Sequence, residues 1–223
     1  MNKVKSAILL LFLLCGPALW GQTHGPDARQ AAAKIDARYN GMKFLRANFT
    51  EIYSGGGIRR SESGTLWIKK PAKMRWEYRS PQKKIFVTDG TTAWFYVPGE
   101  RQARRTTVKK LDDLRSPLRY LLGHTKLEKE LRGLSLATDI QPETAGDVVL
   151  RGVPVGMEER ISQVLLESDG QGWLRRIVME ELDGSRTEFR LEEQRENVAA
   201  DGAEFTFVPP PGVEVLQSDQ LAP

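Results

Sequence analysis

Polar and apolar residues alternate with a period of two along much of this chain. The clearest stretch is Lys73–Arg79. There Met74, Trp76 and Tyr78 point one way, and Lys73, Arg75, Glu77 and Arg79 point the other. Such a pattern predicts a strand with one apolar and one solvated face. Leu66 and Ile68 alternate likewise after Gly64, and Pro71 predicts a tight connection between the two strands. Ile85 and Val87 lead into Asp89-Gly90, a hairpin-turn pair, and Ala93–Val97 returns. Gly55-Gly56-Gly57, after Ile52-Tyr53, predicts another hairpin tip. Further strands are predicted at Val148–Arg151, Ile161–Glu167, Trp173–Leu182 and Arg186–Glu193, with turns at Asp169-Gly170 and Asp183-Gly184. Phe205–Val208 is expected to close the sheet before Pro209-Pro210-Pro211.

Helical spacing is rarer. Asp27–Tyr39 is Ala-rich and reads as a helix. Leu111, Leu114, Leu118, Leu121 and Leu122 recur at helical intervals, with Pro117 predicting a kink or a break. Lys126–Leu131 can add a further turn. The fold class that follows is mainly β with a few helices: one long, curved antiparallel meander forming an incomplete β-barrel under a helical lid. A meander of this length curls. If helices cover its concave apolar face, the space between can hold an apolar ligand.

The first residues set the compartment. Lys3 and Lys5 precede the apolar run Ala7–Leu14, and Pro17-Ala18-Leu19-Trp20-Gly21 offers a cleavage region. This is the layout of a secretory signal over residues 1–21, cut near Gly21, and it leaves residues 22–223 as a single exported domain. The run is too short to span a bilayer, which takes about 20 apolar residues. Cys15 offers a competing lipoprotein-type cut, but the bulky Leu14 fits poorly before it. It is the only cysteine, so a cut near Gly21 removes thiol and disulfide chemistry together. The formal charge of +4 falls to about +2 without Lys3 and Lys5. Arg101, Arg104, Arg105, Lys109 and Lys110 form one basic run, read either as a solvated face or as a docking site for a partner. Export argues against nucleic acid as that partner.

Catalytic constellations are missing from the pattern. His24 and His124 are the two histidines, far apart in sequence, which argues against a zinc site and against a general base. There is no GxSxG, P-loop or GxGxxG, and Gly55-Gly56-Gly57 lacks the Lys-Ser/Thr of a phosphate cradle. Glu158-Glu159 and Glu180-Glu181 are adjacent pairs, which a strand splits across two faces. No catalytic residue, metal site or cofactor is expected. The aromatic set stands out instead: Trp67, Trp76, Tyr78, Phe86, Trp94, Phe95 and Tyr96. It reads either as an ordinary core or as a ligand-facing wall. The consecutive Trp94-Phe95-Tyr96 places aromatics on both faces of one strand.

At these residues the chain resembles the periplasmic outer-membrane lipoprotein carrier family, LolA, from about Ala31 to Leu216. Phe49-Thr50-Glu51 resembles that family's early F-x-Q strand. Gly64-Thr65-Leu66-Trp67-Ile68-Lys69-Lys70-Pro71 resembles its G-x-L-W-x-K-R-P segment, and Met74-Arg75-Trp76-Glu77-Tyr78 with Pro81 its F-R-W-x-Y…P strand. Val87-Thr88-Asp89-Gly90 and Trp94-Phe95-Tyr96 resemble its V-S-D-G…L-W-x-Y hairpin. Phe205-Thr206-Phe207-Val208-Pro209-Pro210 with Gly212-Val213 resembles its closing F-x-F-x-P-P-x-G-V. The resemblance implies a non-enzymatic monomeric carrier in the periplasm. Such a carrier takes acylated lipoproteins from a lipoprotein-releasing ABC transporter of the inner membrane and passes them to an outer-membrane acceptor. It further implies acyl-chain binding by Leu66, Ile68, Met74, Trp76, Tyr78, Trp94 and Tyr96. The implied lid contains Leu111, Leu114, Leu118 and Leu121 and is held by Lys70. Two positions depart from the family pattern. Lys70 replaces an Arg and loses its planar fork of donors. Met74 replaces a frequent Phe and keeps an adaptable apolar surface. Related half-barrels leave two alternatives: a lipid or glycolipid carrier, and a lipoprotein-sensing regulatory module.

Overall fold

The computed structural model describes residues 27–108, 126–197 and 202–218. The expected signal with Cys15, His24, the leucines at 111, 114, 118 and 121, and His124 lie outside these residues. Helix α1 spans Ala28–Gly41. Strands follow at β1 Phe44–Gly55, β2 Ile58–Lys69, β3 Lys73–Ser80, β4 Lys84–Asp89, β5 Thr92–Tyr96 and β6 Gln102–Thr107. After the short helix α2, Leu127–Glu130, come β7 Leu131–Leu136, β8 Val148–Pro154, β9 Ile161–Ser168, β10 Leu174–Glu181 and β11 Arg186–Glu196. A single 3-10 turn, Gly202–Phe205, precedes β12 Glu214–Gln217. Among the described residues no helix is long and apolar enough to cross a membrane.

The strands form one open, curved sheet in the order β12-β6-β5-β4-β3-β2-β1-β11-β10-β9-β8-β7. It is two meanders rather than the single one expected. β1 joins them, pairing antiparallel with β2 on one side and with β11 on the other. The expected closing strand at Phe205–Val208 is also corrected. Phe205 ends the 3-10 turn, and the last strand is β12, which runs parallel to β6. Three prolines at 209–211 account for the displacement. They lack ladder donors, so pairing resumes only beyond them. The turn of helix expected over Lys126–Leu131 is α2, and β7 begins directly at its end.

Side-chain parity gives the sheet two different faces. The concave face carries Leu45 and Phe49 of β1, Leu66 and Ile68 of β2, Met74, Trp76 and Tyr78 of β3, and Phe86 of β4. On the other half it carries Leu150, Val164, Leu166, Ile177, Met179, Phe189 and Leu191. Helix α1 packs Ala31, Ala32, Ile35 and Tyr39 into the same cluster. The Asp27 side chain caps the helix by accepting from the Arg29 amide, and an Ala-rich first half favours coiling. Tyr39 ties its last turn to the sheet. The buried hydroxyl donates to Gln194 Oε1 at 2.7 Å and accepts from the Leu174 amide at 3.1 Å. Burial pushes this phenol well above its ordinary range.

The convex face is covered by loops. Residues 137–147 lie over β8–β10, where Ala137 and Ile140 meet Val149, Leu165 and Val178. The segment from 202 to 208 lies over the other half, with Phe205 edge-on to Phe44 at 6.4 Å.

Candidate functional site

The concave face of β1–β4 is the best-formed apolar wall. Cross-strand register aligns Leu66 with Trp76, Ile68 with Met74, and Trp76 with Phe86. Trp76 sits at its centre, 1% exposed, with Phe49 at 4.5 Å, Phe189 at 5.7 Å and Tyr78 stacked at 6.4 Å. Its indole N–H donates to Met74 Sδ, so the one polar atom of the ring is satisfied inside the apolar cluster. The β2–β3 strands approach closely at Gly64. A Cβ there would stand 2.0 Å from the Glu77 carbonyl oxygen, so no side chain interrupts the wall.

Five of the seven residues expected to line an acyl site share this face: Leu66, Ile68, Met74, Trp76 and Tyr78. Trp94 and Tyr96 do not, and this corrects the expectation. The register runs Trp76–Phe86–Phe95, which turns Phe95 toward the concave cluster and Trp94 and Tyr96 toward the convex side. There both lie 5.5 Å from the Phe207 ring, under the C-terminal segment. Three consecutive aromatics leave parity undecided within the strand; the cross-strand register decides it. Phe49 and Phe189 belong to the wall without having been assigned to it, and Phe95, one of the aromatics weighed as a ligand-facing wall, packs against it. The alternation Thr187-Glu188-Phe189-Arg190-Leu191 marks Phe189, and Phe49 ends the similar alternation Leu45-Arg46-Ala47-Asn48-Phe49 in β1.

A polar belt closes one end of the wall. Tyr78 donates to Glu51 Oε2 at 2.8 Å, and Lys84 pairs with Glu62 at 2.7 Å while lying 4.3 Å over the Tyr78 ring. Burial raises the Glu51 carboxyl above its ordinary range, although the Tyr78 bond and Lys84 oppose the shift. Burial and the adjacent Glu51 charge push the Tyr78 phenol far above its own. At the other end Lys70 donates through Nζ to the Tyr39 carbonyl oxygen at the C-terminal end of α1. A cation there complements the helix dipole, and burial lowers the ammonium's pKa. The described partner of Lys70 is thus the first helix.

The convex face holds a polar cleft of about 460 Å³ lined by Glu143, Glu167, Arg176, Arg190 and neighbours. Glu167 Oε1 accepts from the Glu143 and Thr144 amides, and its Oε2 lies 2.8 Å from Arg176. Burial opposes ionisation of Glu188, but the bond from Arg190 and the charges of Arg186, Arg190 and Arg176 hold its carboxyl below the usual range. These charges answer one another and pin the 137–147 loop, so the cleft reads as structural.

The family described as outer membrane lipoprotein carrier protein LolA matches residues 40–208. Among solved structures, an uncharacterized conserved protein from Thermus thermophilus superposes with a TM-score of 0.55. It is 11% identical, over 86% of this chain and 99% of its own. MucB, known from Pseudomonas aeruginosa, superposes at 0.51 and 13% identity, over 81% of this chain and 62% of MucB. A LolA superfamily protein from Nitrosomonas europaea gives 0.45 and 12%, over 82% and 99%. At such identities the structural likenesses concern the fold, while the sequence match covers strands β1–β11 and with them the apolar wall. The chain belongs to the outer-membrane lipoprotein carrier family, LolA.

Proposed function

We propose that this protein carries acylated lipoproteins through the periplasm, holding their acyl chains against the concave wall of Leu66, Ile68, Met74, Trp76 and Tyr78. The observation that carries the reading is that wall, continuous across β1–β4 and bounded by polar groups at both ends. Each buried CH₂ contributes about 0.8 kcal/mol, so a sixteen-carbon chain gains on the order of 12 kcal/mol over water. A carrier must offset part of that gain to release its cargo. Leu111, Leu114, Leu118 and Leu121 are proposed to form a lid that competes with the chain for the wall. In this reading residues 1–21 are removed near Gly21 on export. Cargo arrives from an inner-membrane ABC transporter and leaves to an outer-membrane acceptor, and the protein performs no chemistry.

The test is mass spectrometry of the protein purified gently from the periplasm with whatever it retains. Bound acylated protein and a mature N-terminus near Gln22 are expected. Free lipid or glycolipid alone would keep the wall and change the cargo, and an empty protein that also fails to take up a fluorescent acyl probe would refute the reading. Leu118→Glu is expected to lower uptake of that probe while leaving the sheet's far-UV dichroism unchanged.

A further inference from the structure

Three of the five large exposed apolar side chains among the described residues stand at one end of the sheet. Ile58 is 60% exposed, Leu182 62% and Val155 50%, and they stand at the β1–β2, β10–β11 and β8–β9 turns. Register brings the first two turns side by side. Ser54 pairs with Arg186, and a Cβ on Gly55 would stand 2.7 Å from that of Ser185. The β1–β2 turn is built to project. Gly56 and Gly57 both have positive φ, the two-residue turn whose twist matches a hairpin, and Gly55 pairs directly with Ile58. The last β2–β3 pair is Ser63 with Ser80, so residues 58–62 of β2 extend beyond β3. That overhang is about 16 Å long at about 3.3 Å per residue.

The unpaired charge on the β1–β2 tip is positive. Arg59 and Arg60 are exposed and have no carboxylate within ion-pair distance among the described residues; Arg79 and Lys83 stand at the β3–β4 turn, about 16 Å behind Ile58. Arg60 lies 5.0 Å over the Tyr53 ring, which holds it along the hairpin. Glu62 pairs with Lys84 and Glu51 accepts from Tyr78, while Asp183, which accepts from the Ser185 amide, and the exposed Glu159 of the β8–β9 turn keep their charge. An apolar tip carrying two unpaired arginines next to Ile58 matches the surface of an anionic bilayer, where headgroup charge and the acyl boundary lie within a few ångströms of each other.

We propose that the paired β1–β2 and β10–β11 tips form a membrane-docking surface, with Ile58 and Leu182 entering the interface and Arg59 and Arg60 holding anionic headgroups. This goes beyond the carrier reading and does not depend on what the concave wall binds. The contact is weak, because two aliphatic side chains and two cations give reversible rather than anchored binding.

Cosedimentation of the purified protein with phosphatidylethanolamine vesicles containing about one quarter phosphatidylglycerol tests it, against pure phosphatidylcholine vesicles. Binding to the anionic vesicles alone, weakening with salt, is expected. Arg59→Gln with Arg60→Gln should lower the partition coefficient about 30-fold. Ile58→Asp should lower it at least about tenfold. Lys43→Gln with Arg195→Gln removes two exposed cations from the opposite end of the sheet and should change it little. All of these positions are exposed, and an unchanged urea midpoint certifies each variant's fold. No binding to the anionic vesicles, equal binding to neutral ones, or equal loss in the Lys43/Arg195 variant would overturn the proposal.

Discussion

Removing the Tyr39 hydroxyl should loosen the helix that seals the concave face. Tyr39→Phe keeps the ring, and with it the edge contact to Trp173 at 6.3 Å. It deletes two hydrogen bonds at once. The Leu174 amide, on a residue with no exposure, is left without its acceptor, and Gln194 Oε1 loses a donor. Gln194 keeps its bond to the Leu174 carbonyl at 2.6 Å, so it cannot turn away freely to find water. An orphaned buried donor costs about 1–3 kcal/mol, and the partly exposed Gln194 adds less, giving an expected loss of about 2 kcal/mol. With a urea slope of about 2.5 kcal/mol/M, the unfolding midpoint falls by about 0.8 M at unchanged slope. Equilibrium unfolding followed by tryptophan fluorescence and by far-UV dichroism measures it, and coincidence of the two signals checks two-state behaviour. A midpoint shift below about 0.2 M would refute the reasoning, because it would mean that both partners are satisfied without the hydroxyl.

Other changes probe different parts of the structure. Gly64→Ala forces a Cβ into the Glu77 backbone and should cost about 3 kcal/mol or more, read as loss of soluble protein or a collapsed midpoint. Glu51 has a raised carboxyl pKa in the fold, so its contribution is complete below about pH 4.5 and is lost as pH rises through the folded value. Glu51→Gln keeps an acceptor for Tyr78; it should raise the urea midpoint at about pH 7 and change it little at about pH 4, and a lower midpoint at neutral pH would contradict the assignment. Tyr39 and Tyr78 are held neutral above the usual phenol range, so their contribution is intact below about pH 10 and is lost above it. Ultraviolet titration should therefore show two phenols that ionise only as the protein unfolds. Glu167→Gln weakens the pairing of the buried Arg176 and should cost about 2–3 kcal/mol, with faster proteolysis in the 137–147 loop.

Much of the β architecture was legible where one face is wet and the other dry. β3 reads directly from Lys73 to Arg79, and Asp89-Gly90 and Asp183-Gly184 mark real hairpin turns. The central seam was not legible, because β1 and β11 lie more than a hundred residues apart and neither carries a signal naming its partner. β6, Gln102–Thr107, is polar in composition and read as a basic surface; its identity comes from pairing with β5 and β12. Five wall residues were legible because strict alternation assigns them to one side. Trp94 and Tyr96 were misplaced because an all-aromatic strand offers both sides to a core. The Phe207 that claims them lies 111 residues beyond Tyr96, across a stretch without a local cue.

The β1–β11 seam also sets an order of events for a chain that emerges N-terminus first. The meander β1–β6 can assemble early from neighbouring hairpins, but its central edge stays open until β11 begins, 79 residues after β6 ends. Contacts so distant in sequence close late and slowly. The aromatic half of the wall is therefore made before the half that completes it, and Phe189 reaches Trp76 only once β11 has emerged. A newly made chain spends that interval with a greasy, unpaired surface, the state in which partly folded sheets aggregate. Conditions that slow β11 docking should thus lower yield before they lower the stability of the finished protein.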